Sequence, residues 1–167
     1  MIIKIDISDL INQGVGFKKE YEFEENANGE KLDKETVLTK PIKGKVSFMK
    51  IEDGVLGEFS VKTEVQLICV RCLKKISRKI DLKYSQEFVF ENKIADNIQK
   101  KEEQVEGFVV DARNKIDIFP SIRQEILLSL TTKIICKDEC KGIKIETENE
   151  PGTRKIKDII KYKNPKH

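Results

Sequence analysis

The four cysteines are the residues of this chain best suited to chemistry. They fall in two close pairs, Cys69-Val-Arg-Cys72 and Cys136-Lys-Asp-Glu-Cys140. A pair two or three residues apart can turn both sulfurs toward one centre, and two such pairs supply four thiolates. Four thiolates at tetrahedral corners suit zinc, which accepts sulfur and leaves no coordination position open in a structural role. Cys69, Cys72, Cys136 and Cys140 are therefore the candidate ligands of a structural zinc. Two other readings stand beside this one. A Cys-x-x-Cys redox site needs a helix after its first cysteine, whereas the residues after Cys72 alternate as a strand does. Cysteine is also a small apolar side chain that packs well in a core.

Nothing else in the sequence resembles catalytic machinery. The single histidine is His167, the last residue, where little holds a side chain in place. There is no Gly-rich phosphate loop, nucleophile elbow or paired acidic motif. Carboxylates are plentiful but scattered along polar strand faces and loops. The expectation is a binding protein, not an enzyme, with no small-molecule substrate.

A sheet must position the cysteines. Residues 42–51 and 55–68 are strand-like runs broken at Glu52-Asp53-Gly54, a hairpin signal. In the second run Phe59, Val61, Thr63, Val65 and Leu67 alternate with polar residues. After Cys72, Ile76, Ile80, Leu82, Tyr84, Phe88 and Phe90 share one parity, the period of a half-buried strand. Residues 42–90 thus predict a three-stranded antiparallel meander, with Phe59, Val65, Leu82 and Tyr84 in its core. The first cysteine pair lies between its last two strands.

Earlier, residues 2–7 and 17–23 suit short strands, the first edge-like. Ser8-Asp-Leu-Ile suits one helical turn stopped by Gly14 and Gly16, and 24–34 reads as a loop. Later, 93–107 is polar and reads as a flexible loop. Residues 119–131 predict the main helix. Pro120 sits near its start, where a missing N–H costs nothing, and Ile122, Ile126, Leu127 and Leu130 form an apolar stripe to pack on the sheet. The fold class is α+β and mainly β: an antiparallel meander with one main packed helix. Residues 1–150 form one domain, and 151–167 a basic tail.

That tail is different in kind. After Pro151-Gly152, residues 153–167 hold six basic side chains against Asp158 alone, a net +5, whereas the whole 167-residue chain carries +3. Arg154, Lys155, Lys157, Lys161 and Lys163 are candidate phosphate contacts, together with Arg71 between the first two cysteines. The blander alternatives are a solubilising tail and an Arg71 that bridges an acid such as Asp138. The opening residues, Met1 to Ser8, lack the pattern of a signal peptide, and no run approaches the length of a membrane span. A cytoplasmic location without membrane attachment is expected.

The order of these features resembles a known family. A strand ends in Leu67-Ile-Cys-Val-Arg-Cys72, and a long strand leads to Phe88-Val-Phe90. A polar loop follows, then Ile116-Asp117-Ile118 and a helix through Arg123-Gln-Glu-Ile-Leu-Leu-Ser-Leu130. A second cysteine pair with Lys141-Gly142 closes the series. Over roughly residues 40–143 this resembles the YceD family, the large ribosomal RNA subunit accumulation proteins. The resemblance implies a cytoplasmic, non-enzymatic ribosome-assembly factor that supports levels of large-subunit rRNA. Many members carry further cysteines in a Gly-Leu-Cys-x-x-Cys-Gly stretch, but here Gly142-Ile-Lys-Ile145 follows without one. Four sulfurs are thus the largest possible set. The expected partner is ribosomal RNA or a pre-ribosomal particle. The rival class is a protein–protein adaptor that works through an exposed sheet edge and touches no RNA.

Overall fold

The period-2 run of residues 42–90 forms three long antiparallel strands, β4 (Ile42–Lys50), β5 (Gly54–Ile68) and β6 (Lys75–Phe90). The computed structural model describes residues 1–91, 108–130 and 133–143. Within them the meander is the middle of a larger sheet. The remaining strands are β1 (Lys4–Asp6), β2 (Lys18–Glu25), β3 (Val37–Leu38), β7 (Phe108–Val110) and β8 (Lys115–Asp117). Their order across the sheet is β1-β8-β7-β6-β5-β4-β2, with β3 also pairing β5. The helices are α1 (Ser8–Ile11) and α2 (Phe119–Ser129).

The sheet is mixed, which corrects the expectation of a purely antiparallel meander. Phe88–Phe90 of β6 runs parallel to Phe108–Val110 of β7. A parallel neighbour needs a crossover connection, not a hairpin, and strands of two or three residues are too short to display a period. The expected loop at 93–107 and the tail at 151–167 lie outside the described residues.

Burial follows the alternation closely on β5. Val55, Phe59, Val61, Val65 and Leu67 are buried, and Phe59 stacks on Tyr84 with ring centroids 4.8 Å apart. Leu82 and Tyr84 share the inward parity but stay half-buried, packed against the core's rim. They face the side where α2 crosses, and one helix covers only part of so wide a sheet. Ser121 Oγ at the start of α2 lies 3.2 Å from the Tyr84 hydroxyl and fixes that crossing. Ile122 and Ile126 are fully buried, whereas Leu127 and Leu130 are half-buried. The helix stops at Ser129 because Leu130 is already extended, at ψ 134°; residue 131 lies outside the described residues.

Long-range contacts place the N-terminus on the same core. β1 forms an edge of the sheet beside β8, and the Asp117 carboxylate accepts both the Ile3 N–H at 3.0 Å and the Phe119 N–H at 3.1 Å. One side chain thus joins β1 to the helix entry. Beyond α1, Lys50 Nζ donates to the carbonyls of Ile11 and Gln13, so the sheet curls to bring α1 against β4. Gly16, with φ +88°, turns the chain into β2. No helix among the described residues is long and apolar enough to cross a membrane.

The hairpin between β4 and β5 is held by close backbone contact. A Cβ at Gly54 would lie 2.0 Å from the Phe88 carbonyl oxygen, a main-chain atom of the neighbouring strand. Gly54→Ala must therefore part β5 from β6 at this end. The expected loss is about 1–3 kcal/mol, the usual range for overpacking, read as a shift of the urea midpoint. A midpoint equal to the parent's would show that the strands separate here without cost.

Candidate metal centre

β5 ends at Ile68 and β6 begins at Lys75, so the turn between them carries the first cysteine pair. Its ends are closed by Cys69 N–H donating to the Lys74 carbonyl and Leu73 N–H to the Cys69 carbonyl, both at 2.9 Å. Leu73 takes φ +59°, a left-handed conformation uncommon for its residue type. It reverses the chain directly after Cys72 and leaves both sulfurs on one side.

The second pair is brought over by the backbone. Val70 N–H donates to the Ile134 carbonyl at 2.9 Å, which lays the segment after α2 against the turn. Cys140 N–H closes on the Lys137 carbonyl at 3.0 Å, so Cys136 and Cys140 face the same way. Gly142 follows at φ +76°, and a Cβ there would sit 3.4 Å from the Arg71 carbonyl. The two loops meet closely at this point.

The sulfurs converge. Cys69 Sγ lies 3.8 Å from Cys140 Sγ, and Cys72 Sγ lies 3.6 Å from Cys136 Sγ. All four fall within 4.8 Å of one another. Sulfurs bound to one zinc at about 2.3 Å would sit roughly 4 Å apart, close to this spacing. Cys69 and Cys140 are buried, while Cys72 and Cys136 are half-buried. Among the described residues this is the one group of cysteine, histidine or carboxylate side chains placed to hold a metal ion. The donor set fits zinc: four converging sulfurs, with backbone already supporting them.

The thiols of Cys69 and Cys136 are perturbed in opposite directions. The N–H groups of Cys72, Arg71 and Cys136 converge on Cys69, and the Cys72 N–H, the strongest influence, pulls its thiol down to about 6 despite burial. Cys136 stands the other way. Its hydrogen bonds to the Cys140 and Cys72 sulfurs, and then burial, push it up to about 12. Four thiolates cannot share this volume without a positive charge among them.

Arg71 is not paired with the Asp138 carboxylate. Its Nη1 donates to two main-chain carbonyls, Cys140 at 3.3 Å and Asp138 at 3.5 Å, and so clamps the second loop onto the first. Arg71→Ala should cost about 1 kcal/mol, the worth of ordinary hydrogen bonds, seen as a lower melting temperature. An unchanged melting temperature would leave the clamp without energetic weight.

Of the other candidate contacts, Arg154, Lys155, Lys157, Lys161 and Lys163 lie outside the described residues. The motif-based expectation also passed over Lys74, Lys75 and Arg78, exposed cations next to the first pair. A running charge count would have found them, because residues 70–78 contain four basic side chains and no acid.

Residues 57–164 match the model of a family described as "Large ribosomal RNA subunit accumulation protein YceD". The chain belongs to the YceD family. The match takes in β5 from Gly57 onward, β6, both cysteine pairs and α2, and it continues to residue 164. It therefore starts later than the resemblance near residue 40 and reaches into the basic tail. The strands β1 to β4 precede the matched stretch in this chain. No curated protein and no solved structure matches significantly.

Proposed function

We propose that this YceD protein is a cytoplasmic, non-enzymatic ribosome-assembly factor that supports accumulation of large-subunit rRNA by binding rRNA or a pre-ribosomal particle. The observation that carries this reading is the family match, which spans the whole two-loop cysteine centre. Cys69, Cys72, Cys136 and Cys140 would hold a structural zinc. When bound, zinc supplies no reaction chemistry; it staples the start of β6 to the segment after α2. The tail residues Arg154, Lys155, Lys157, Lys161 and Lys163 add affinity for phosphate without choice of sequence, and Arg71 would add its guanidinium at the knuckle.

Each cation that meets a phosphate releases counterions, so binding should weaken steeply as salt rises. Deleting residues 153–167 should flatten that dependence, by roughly 0.7–0.9 in log–log slope for every phosphate the tail had neutralised. The measurement is co-sedimentation with pre-ribosomal particles in gradients at two salt concentrations, with large-subunit rRNA levels in cells lacking the protein. Normal rRNA together with no co-sedimentation at low salt would favour the adaptor reading. The surface for an adaptor exists in β2, whose outer side pairs with no described strand.

A further inference from the structure

Charge is distributed unevenly over this protein, and ion pairing sharpens the contrast. On the polar face of β2, β4 and β5 the lysines are matched by carboxylates: Lys18 with Glu58, Lys43 with Glu24, Lys45 with Glu20 and Glu22, Lys62 with Asp81. At the cysteine end the balance tips toward cations. Residues 70–78 hold four basic side chains and no acid, and 133–143 hold three against two acids. Together these twenty residues carry +5, more than the +3 of the entire chain.

Lys74, Lys75, Arg78, Lys137 and Lys141 are exposed. None of them takes part in an ion pair among the described residues. Arg78 lies on the inward parity of β6 but reaches the surface in a concavity beside Lys133, Ile134, Ile135 and Cys136. The cysteines and the Arg71 clamp hold the two loops together, so these cations gather at one end of the molecule, Lys75 and Arg78 leaving opposite faces of β6 there. A cluster in which cations outnumber acids, on a rigid support, is the electrostatic footprint of a polyanion site.

The remaining side chains narrow the ligand. Val70, Leu73 and Ile143 stand exposed at the tip, at 53, 62 and 58%. Neither loop contains an aromatic residue. Proteins that grip unpaired bases stack them on aromatic rings, and the described residues of this surface offer none. Paired RNA is recognised instead through its backbone and groove shape, with cations meeting phosphates.

We propose that the cysteine end of the molecule, centred on Lys74, Lys75 and Arg78, binds the phosphate backbone of double-helical RNA. The proposal rests on the RNA-binding reading above and adds the surface and the kind of RNA. Positions of the phosphates are set by the two loops, so the metal centre acts as the frame of the site and not as a contact.

The test uses the full chain and two triple variants of equal charge change. One is Lys74→Gln, Lys75→Gln, Arg78→Gln; the other, on the ion-paired face, is Lys43→Gln, Lys45→Gln, Lys62→Gln. Fluorescence anisotropy measures binding to an RNA duplex of about 20 base pairs, a length that spans successive grooves, and to a single strand of equal length. The parent should prefer the duplex. The first variant should bind about tenfold or more weakly, with a log–log salt slope lower by about 2, while the second stays near the parent. Equal loss in both variants, or no loss in the first, would overturn this surface while leaving RNA binding intact. Preference for the single strand would overturn the duplex assignment. A parent that binds neither RNA would remove the RNA reading itself, and this proposal with it.

Discussion

Protein purified without added metal is expected to carry about one zinc per chain, the stoichiometry of a closed four-sulfur site. Cys69→Ser is expected to carry none. Cys69 is the ligand to test because it is fully buried and takes backbone N–H groups from both loops. Structural zinc is worth on the order of 10 kcal/mol of apparent binding energy at neutral pH, so losing it should release the segment 133–143 from the turn. The main apolar cluster includes none of the cysteines, though Cys69 and Cys140 are buried beside it, and the sheet should survive. Hydrogen exchange should show weaker protection at Val70 and Cys140 with the β4 and β5 amides little changed. Acidification should have the same effect on the parent. The Cys69 thiol is held below its ordinary 9.0, at about 6. In the metal-free chain its contribution is thus complete above about 9 and disappears as the pH falls through about 6, and bound metal would hold the thiolate to lower pH. Cys136, pushed up to about 12, must give up its proton when metal enters. Inductively coupled plasma analysis of the parent and Cys69→Ser decides the matter, and equal zinc in both would remove the site.

Much of this centre is legible in the sequence because it rests on local rules. A close pair of cysteines between two strand-like runs forces both sulfurs to one side of the turn, whatever the rest of the fold does. That Cys136 and Cys140 come to the same place is not local, and depends on Val70 pairing with Ile134 across the sheet end. Only the donor chemistry hinted at it. Similarly, the long alternations of β5 and β6 announce themselves over fifteen residues and more. The pairing of Ile5 with Ile116, or of Val89 with Val109, does not. Three-residue strands have too few side chains to show a period, and their partners are chosen by the curl of the sheet. Parity, too, tells which way Leu82 and Tyr84 point but not how much covers them. Depth belongs to the helix above, whose reach is set by Asp117, Ser121 and the end at Ser129.

Phe48→Ala should be the most damaging single change to the core, by about 3–5 kcal/mol. Phe48 is fully buried on β4 and meets three rings edge-on: Tyr21 and Phe88 at 5.8 Å and Phe59 at 6.0 Å between centroids. It thereby links β2, β4, β5 and β6 at one point. Its cross-strand partner is Gly57, and a Cβ there would lie 2.9 Å from the Phe48 ring, so little slack exists around it. Truncation leaves a cavity that the neighbouring rings, each held by its own strand, can close only in part. Against a typical domain stability of about 5–15 kcal/mol, this is a large share. The exposed ion pairs of the polar face, such as Lys45 with Glu22, contribute little beside it, because solvent screens them. Position along the sheet adds a second expectation. Gly57, opposite Phe48, is eleven residues from Ile68, or roughly 35 Å at strand spacing. The aromatic cluster and the metal centre should therefore act independently. Phe48→Ala should lower the denaturant midpoint and leave zinc per folded chain unchanged, the opposite of Cys69→Ser. Combined, the two losses should add within about 0.5 kcal/mol. A marked excess in the double variant would show that the cysteine end and the aromatic core fold as a single unit.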